Sequence, residues 1–243
     1  HLGRTSPSVL QVLLERVAQE ADVLALCGDL TDNGQPAEAR QLGRELAGVK
    51  VPIVAVLGNH DHEGNETGEL SRILGDAGVQ VLDGTSCEIQ GVGFAGIKGF
   101  CGGFGRRALG PWGETVIKTF VREALDEALK LETALGRLRA ERRVVLMHYA
   151  PIQGTVEGEP LEIYPFLGSS RLEEPLTRYP VDAVFHGHAH HGQLEGRTRS
   201  GTPVYNVSLA LLQRCWPDRA PYRILEIARD RPVTRVTDDQ PTR

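Results

Sequence analysis

The sequence predicts an α/β protein, because short and continuously apolar segments alternate with longer segments of helical periodicity. The apolar segments at 23–27, 51–57 and 143–147 are typical of strands that are buried on both faces of a parallel sheet. Strand, helix and strand follow one another with short links, which is the pattern of parallel strands joined by right-handed crossovers. At 243 residues, the chain is expected to form one domain over 1–243.

Helices are predicted where apolar residues recur every three or four positions, and the first of them has a clear start. Ser6 is a good N-cap and Pro7 a good first helical residue. The other segments continue the same periodicity with apolar side chains on one face. The predicted helices cover 6–20, 36–47, 68–77, 114–142 and 172–178.

Strands are predicted in two groups that differ in the length of their apolar runs and in the turns that separate them. The longer apolar runs are expected to be parallel, at 23–27, 51–57, 143–147 and 181–185. Shorter segments separated by Gly and Asp turns are expected to pair antiparallel, at 79–82, 86–90, 92–97, 192–197, 202–207 and 222–228.

Composition narrows the class of function. The net charge of −5 gives no basic footprint, which argues against binding nucleic acid by bulk electrostatics. No apolar stretch approaches the roughly 20 residues that span a bilayer, so no membrane segment is expected. The four cysteines are scattered and form no CxxC pair, which favours a reduced, cytoplasmic protein without disulfides.

Polar side chains follow four of the apolar runs. They are Asp29 and Asp32 after the first, Asn59, His60 and Asp61 after the second, His148 after the third, and His188 and His190 after the fourth. Ligands bind at the carboxyl ends of strands in open α/β sheets, and neutral imidazole is the commonest metal ligand. A histidine-rich surface turn is the alternative for the last pair. Gly187 is expected to free the backbone so that His188 and His190 face one point.

The segment 99–113 contains six glycines around Arg106 and Arg107. It is either a flexible surface loop or a mobile active-site loop whose two arginines contact an anionic substrate.

Four motifs in order resemble those of the calcineurin-like metallophosphoesterases. They are Gly28-Asp29-Leu30-Thr31-Asp32, Gly58-Asn59-His60-Asp61, His148 with nearby Pro151, and Gly187-His188-Ala189-His190. The resemblance covers about residues 1–210. It implies a two-sheet β-sandwich flanked by helices in four layers (αββα), with metal ions at the carboxyl ends of the central strands.

The resemblance also implies two sets of metal ligands that share Asp29. One ion would be held by Asp29, Asn59, His148 and His188; the other would be held by Asp29, His190, His1 and an aspartate that is expected before residue 1. His1 matches the histidine of the family's first DxH motif, so the first strand is expected to precede it; a terminal histidine without a role is the alternative. Mixed nitrogen and oxygen ligands suit two divalent or trivalent ions, with Mn, Fe or Zn favoured.

The reaction implied is hydrolysis of a small-molecule phosphate ester by a hydroxide held between the two metals. His60 would protonate the leaving oxygen or stabilise its charge, and Asp32 would orient the His60 ring. Asn59 would also contact substrate. Asp32 has a plainer alternative role as a loop-capping residue.

Two other functions are weighed. One is a phosphodiesterase specific for cyclic nucleotides or nucleic acid. The other is a metal-poor scaffold that binds proteins, which would be expected to have lost residues such as Asn59, His60 and His148, all present here. The choice between monoester and diester, and the oligomeric state, stay open at this stage.

Overall fold

The computed structural model describes residues 7–227 and contains two sheets. The smaller sheet has three parallel strands in the order β1-β2-β3. These are β1 (Leu24–Cys27), β2 (Ile53–Val56) and β3 (Val79–Val81).

The larger sheet has six strands in the order β4-β5-β6-β7-β9-β8. Its strands are β4 (Thr85–Ile89), β5 (Val92–Gly96), β6 (Arg142–Leu146), β7 (Ala183–His186), β8 (Glu195–Arg197) and β9 (Pro203–Asn206). The four central strands run parallel, and the two edge strands, β4 and β8, are antiparallel to their neighbours.

Seven α-helices lie among these strands in the described part of the chain. They are α1 (Pro7–Glu20), α2 (Pro36–Leu46), α3 (Thr67–Asp76), α4 (Thr115–Arg137), α5 (Tyr164–Leu167), α6 (Glu173–Arg178) and α7 (Leu209–Cys215). Helices α1 to α3 pack on one face of the small sheet, whereas α4 and α6 pack on one face of the large sheet.

Alternation along the strands builds the layer between the sheets. On β2, Ile53 and Ala55 face the helices, whereas Val54 and Val56 belong to the apolar cluster that joins the two sheets. Val144 and Leu146 of β6 reach the same central cluster from the large sheet. Successive side chains of a strand point to opposite faces, so each central strand packs against both neighbouring layers. The predicted α/β fold, two sheets flanked by helices, is confirmed.

Some predicted pairings are wrong. β3 is parallel to β2 because α3 is a crossover that returns the chain to the same sheet, and β9 is parallel to β7. Of the predicted strand at 222–228, the part at 222–227 forms no strand of either sheet and contains a single bridge residue, Glu226. Arg223 packs its guanidinium over the ring of Tyr205. Residue 228 lies outside the described residues.

Helix α4 ends at Arg137, five residues before the predicted end. Leu138 leaves the helix with φ −68° and ψ 132° and turns its side chain into the core beside Gly93. Helix α7 was not predicted at all. Burial of Leu211 and Leu212 holds it against the rest of the chain. Within the described residues, no helix combines the length and the apolarity that crossing a membrane requires.

Candidate metal centre

The loops that follow β1, β2, β6 and β7 meet at one edge of the sandwich. Each loop delivers between one and three of the polar residues predicted from the sequence. The ring of His148 lies at the centre of this group and is almost completely buried.

Three acceptor atoms surround Nε2 of His148. Asn59 Oδ1 lies 2.8 Å from it, His188 Nδ1 3.1 Å and Asp29 Oδ1 3.3 Å. The ligand atoms of Asp29, His148 and His188 all lie within 4.8 Å of one another, which is close enough for one metal ion to contact all three. The structure therefore brings together one complete predicted ligand set.

The opposite nitrogen of each imidazole determines which tautomer is present. His148 Nδ1 lies 2.9 Å from the carbonyl oxygen of Cys27, and His188 Nε2 lies 3.1 Å from that of Phe166. A carbonyl oxygen only accepts, so each of these nitrogens carries the proton. Burial lowers the pKa of His148, and it lowers the pKa of His188 to about 4, so both rings are neutral at pH 7. Their lone pairs consequently point at one another, at Asp29 and at Asn59, which is the donor set that a cation requires.

Two of the predicted ligands have an uncommon backbone conformation. Asp29 has φ +52° and His188 has φ +67°, a left-handed conformation that few non-glycine residues adopt and that often marks functional sites. The sequence predicts that Gly187 frees the backbone here, but the residue with positive φ is His188 and not Gly187. Gly187 is needed for close packing instead: a Cβ there would lie 2.9 Å from the Cys27 oxygen.

Asp61 ties two of the ligand loops together, a role that the sequence did not indicate. Its buried carboxylate accepts hydrogen bonds from Leu30 N, Thr31 N, Thr31 Oγ1 and Gly58 N, at 2.6 to 3.1 Å. Burial raises the pKa of Asp61, and these hydrogen bonds act in the opposite direction. Because Asp29 and Asn59 lie next to the bonded residues, Asp61 sets the separation of the two loops.

His60 lies beside the cluster and is partly exposed, with 27% of its side chain accessible. Its main-chain N–H donates to Asp29 Oδ1 at 3.0 Å. Its Nδ1 lies 3.0 Å from the main-chain oxygen of Asp32 and 2.7 Å from Glu63 Oε1. Glu63 is a residue that sequence reasoning missed; its signal was the spacing of three residues from His60, which puts both on one side of a short helical turn.

His190 is half-buried and interacts electrostatically with Asp29. Burial lowers the pKa of His190, whereas the Asp29 carboxylate raises it. The main-chain oxygen of His190 accepts a hydrogen bond from Arg214 Nη1 of α7 at 3.2 Å. His1, the other predicted ligand of this ion, lies outside the described residues.

Arg106 and Arg107 are exposed on a short 3₁₀ turn that is tied to Ser170 by the N–H of Gly105. The contacts found within residues 7–227 include none between either arginine and the ligand cluster. Their role as substrate contacts stays a prediction.

His186 is buried beside the cluster but points away from it. Its Nδ1–H donates to the oxygen of Gly187, and its Nε2 lies 2.8 Å from Thr155 Oγ1. Burial lowers the pKa of His186 to about 3. This histidine holds the turn before His188 rather than a metal.

The family model for calcineurin-like phosphoesterases matches residues 5–192. The chain is 21% identical to a probable glycerophosphodiester phosphodiesterase, GpdQ, of Arcobacter nitrofigilis, over 82% of this chain and 64% of that protein. It is 24% identical to a probable cyclic nucleotide phosphodiesterase of Vesicomyosocius okutanii subsp. Calyptogena okutanii, over 84% of this chain and 77% of that protein. The chain thus spans a little less than two thirds of the first relative.

Solved structures share the fold at low identity. The phosphopantetheinyl hydrolase PptH from Mycobacterium tuberculosis aligns with a TM-score of 0.58 and 16% identity, over 86% of this chain and 88% of that one. The protein TT1561 of Thermus thermophilus aligns with a TM-score of 0.53 and 15% identity, over 85% of this chain and 86% of that one. The family match covers more than half of the sequence and includes all four motifs that form the cluster. This chain belongs to the calcineurin-like phosphoesterase family.

Proposed function

We propose that this protein is a metal-dependent phosphoesterase that hydrolyses a small phosphoric ester with the help of two metal ions. The observation that carries the proposal is the convergence of Asp29 Oδ1, Asn59 Oδ1 and His188 Nδ1 on the unprotonated Nε2 of His148. Four acceptor atoms in one buried place repel one another unless a cation lies among them. This favours an enzyme over a metal-poor protein-binding scaffold.

One ion would be held by Asp29, Asn59, His148 and His188. The second would be held by Asp29, His190 and His1, together with any ligand that lies before residue 1. Such a pair of ions would polarise the phosphoryl oxygens and would lower the pKa of a bound water. Mixed nitrogen and oxygen ligands favour Mn, Fe or Zn.

The remaining residues of the proposal act on the substrate. His60 would donate a proton to the leaving oxygen or stabilise its charge, and its ring is oriented from one side by Glu63 and the Asp32 carbonyl. Asp32 contributes to this orientation. Asn59 would contact the phosphoryl group as well as a metal, and Arg106 and Arg107 would attract an anionic substrate.

A phosphodiester is the substrate class that we favour. Both curated relatives are named as probable phosphodiesterases, one for glycerophosphodiesters and one for cyclic nucleotides. A diester places one organic group on each side of phosphorus, and only one of them leaves. A cyclic nucleotide or nucleic acid is the second candidate within this class.

We further propose that residues 1–243 act as one domain, and the four free cysteines favour a cytoplasmic location.

The experiment is a metal titration of the stripped protein with two chromogenic substrates. The chelator-treated chain is loaded with Mn²⁺, Fe²⁺ or Zn²⁺, and the turnover of bis(4-nitrophenyl) phosphate is compared with that of 4-nitrophenyl phosphate. We expect metal-dependent turnover with the diester faster, and about two ions per chain by elemental analysis. A chain that binds no metal would contradict the proposal.

A further inference from the structure

The segment 161–168 contacts the candidate metal centre at Phe166, and main-chain hydrogen bonds hold the residues around this contact in place. The oxygen of Phe166 accepts the hydrogen bond from His188 Nε2 at 3.1 Å. On either side, Gly102 N donates to the Pro165 oxygen at 2.7 Å, and Ala150 N donates to the Leu167 oxygen at 3.0 Å. Phe166 is therefore held one hydrogen bond away from a metal-ligand histidine.

Gly168 makes this position rigid. A Cβ at residue 168 would lie 2.0 Å from the oxygen of Ala150, so the segment packs directly on the chain that follows β6. The next apolar side chain back, Leu167, is buried in a small cluster with Ala150 and Ala189. Ala189 separates His188 from His190, so this packing joins the segment to the ligand loop.

The Phe166 ring, in contrast, faces solvent, with 58% of the residue exposed. An exposed apolar side chain is unremarkable when it is isolated on a surface. Here it extends from a main chain that is hydrogen-bonded to a predicted ligand of the metal centre, which puts an exposed aromatic face beside that centre. Such a face binds flat organic groups by stacking.

On the basis of the proposed function, we propose that Phe166 determines substrate specificity, and that its ring binds an aromatic group carried by the ester. A phosphoryl group at the metal ions would place one of its organic substituents near the ring. The ring then stacks on an aryl group or a nucleobase, whereas a small alkyl group gains nothing from it. The ring of Phe166 would contribute to substrate binding alone. The contact with His188 is made by the main-chain oxygen, which a change of side chain leaves in place.

The test measures the binding of two non-hydrolysable probes to the full chain loaded with Mn²⁺. Isothermal titration calorimetry compares phenylphosphonate with methylphosphonate, so the result does not depend on turnover. For the unaltered protein, we expect phenylphosphonate to bind roughly 3- to 10-fold more tightly, the range of one aromatic contact. Phe166→Ala should abolish this ratio and leave metal content unchanged, and Phe166→Tyr should preserve it.

Leu161→Ala is the matched control, since Leu161 is even more exposed, at 73%, and lies on the same segment. It should leave the ratio unchanged. Phe166→Leu keeps an apolar side chain without an aromatic face, and it should lower the ratio if Phe166→Ala fails to fold.

An unchanged ratio in both Phe166→Ala and Phe166→Leu would overturn the inference. It would also be overturned if these variants lost metal or changed their oligomeric mass instead of losing the ratio. The proposed function is judged separately, by metal-dependent ester hydrolysis in the unaltered protein. Each can therefore fail without the other.

Discussion

Nε2 of His148 and Nδ1 of His188 face each other at 3.1 Å, across two neighbouring parallel strands. Each ring uses its other nitrogen to donate to a main-chain oxygen, so neither lone pair has a proton to share. Two lone pairs at this distance are stable only with a positive charge close to both. This pair therefore defines where the first metal ion of the proposed function would bind.

Asp29→Ala should remove metal and activity together, because Asp29 is the carboxylate shared by both proposed ligand sets. Elemental analysis after dialysis should show loss of both ions. Asp76→Ala is the control, since Asp76 is an exposed carboxylate that pairs with Arg72 on α3, and its metal content should equal that of the unaltered protein. Retention of two ions by Asp29→Ala would refute the shared ligand.

His60→Ala should keep its metal and lose turnover by about 100-fold, the range for a positioned acid. The metal ligands remain, because only the main-chain N–H of His60 contacts Asp29 and alanine retains it. Steady-state kinetics with bis(4-nitrophenyl) phosphate provide the measurement.

Glu63→Gln should have a smaller effect than His60→Ala, since the Asp32 oxygen still contacts Nδ1 of His60. Turnover of His60→Ala equal to that of the unaltered protein would exclude His60 from the reaction.

Gly58→Ala should disrupt the centre through shape alone. A Cβ at residue 58 would lie 2.2 Å from Asp29 Oδ1, so the carboxylate must move. The main chain of Asp29 lies almost as close to this Cβ, and a misplacement of about 1 Å in a reacting site costs on the order of 100-fold in rate. Gly75→Ala is the matched control, because a Cβ there meets nothing within 4 Å, and its kinetics should be unchanged. Equal turnover of the two variants would contradict the close packing.

His186 should make the metal-free protein less stable in mild acid. Burial lowers the pKa of His186 from its ordinary value of 6.5 to about 3 in the folded protein. Between these two pH values, the unfolded chain binds a proton at His186 and the folded chain does not. The contribution of His186 to the free energy of unfolding is therefore largest above pH 6.5, and it falls as the pH drops toward 3. Between pH 7.5 and pH 5, the free energy of unfolding should fall by about 2 kcal/mol more than in His186→Gln. Urea titrations in chelator measure both slopes, and parallel slopes would refute this role.

Cysteine labelling should report the position of β1. Cys101 is buried and Cys27 is partly buried, whereas Cys215 is exposed. Burial raises the pKa of the Cys27 thiol to about 12 and that of Cys101 to about 11. At pH 8, iodoacetamide should modify Cys215 first, with Cys27 and Cys101 protected until urea is added. Peptide mass spectrometry locates the adducts. Early labelling of Cys27 would show that β1 is open to solvent.

The sequence by itself determined the class of fold and which polar residues meet at one edge of the sheets. It could do so because buried strands are short apolar runs, and because polar residues directly after such runs must lie at the same edge of the sheets. The placement of Asp29, Asn59, His148 and His188 follows from that rule. Helix periodicity was also sufficient for α1, α2 and α3, whose apolar faces repeat without interruption.

Tertiary structure decided what depends on partners distant in the chain. The parallel pairing of β3 follows from the order β2-α3-β3, which outweighs the Gly and Asp turns around that strand. The pairing of β9 with β7 and the turn of Leu138 into the core arise from packing that no local pattern encodes. Likewise, Asp61 joins two loops because four donors from these loops surround it. The positive φ of His188 is also a feature of the folded loop that its sequence did not indicate. The amino-acid sequence determines the residue types at the site. The relative positions of the loops determine the tautomers, the shared hydrogen bonds and the exposure of the Phe166 ring.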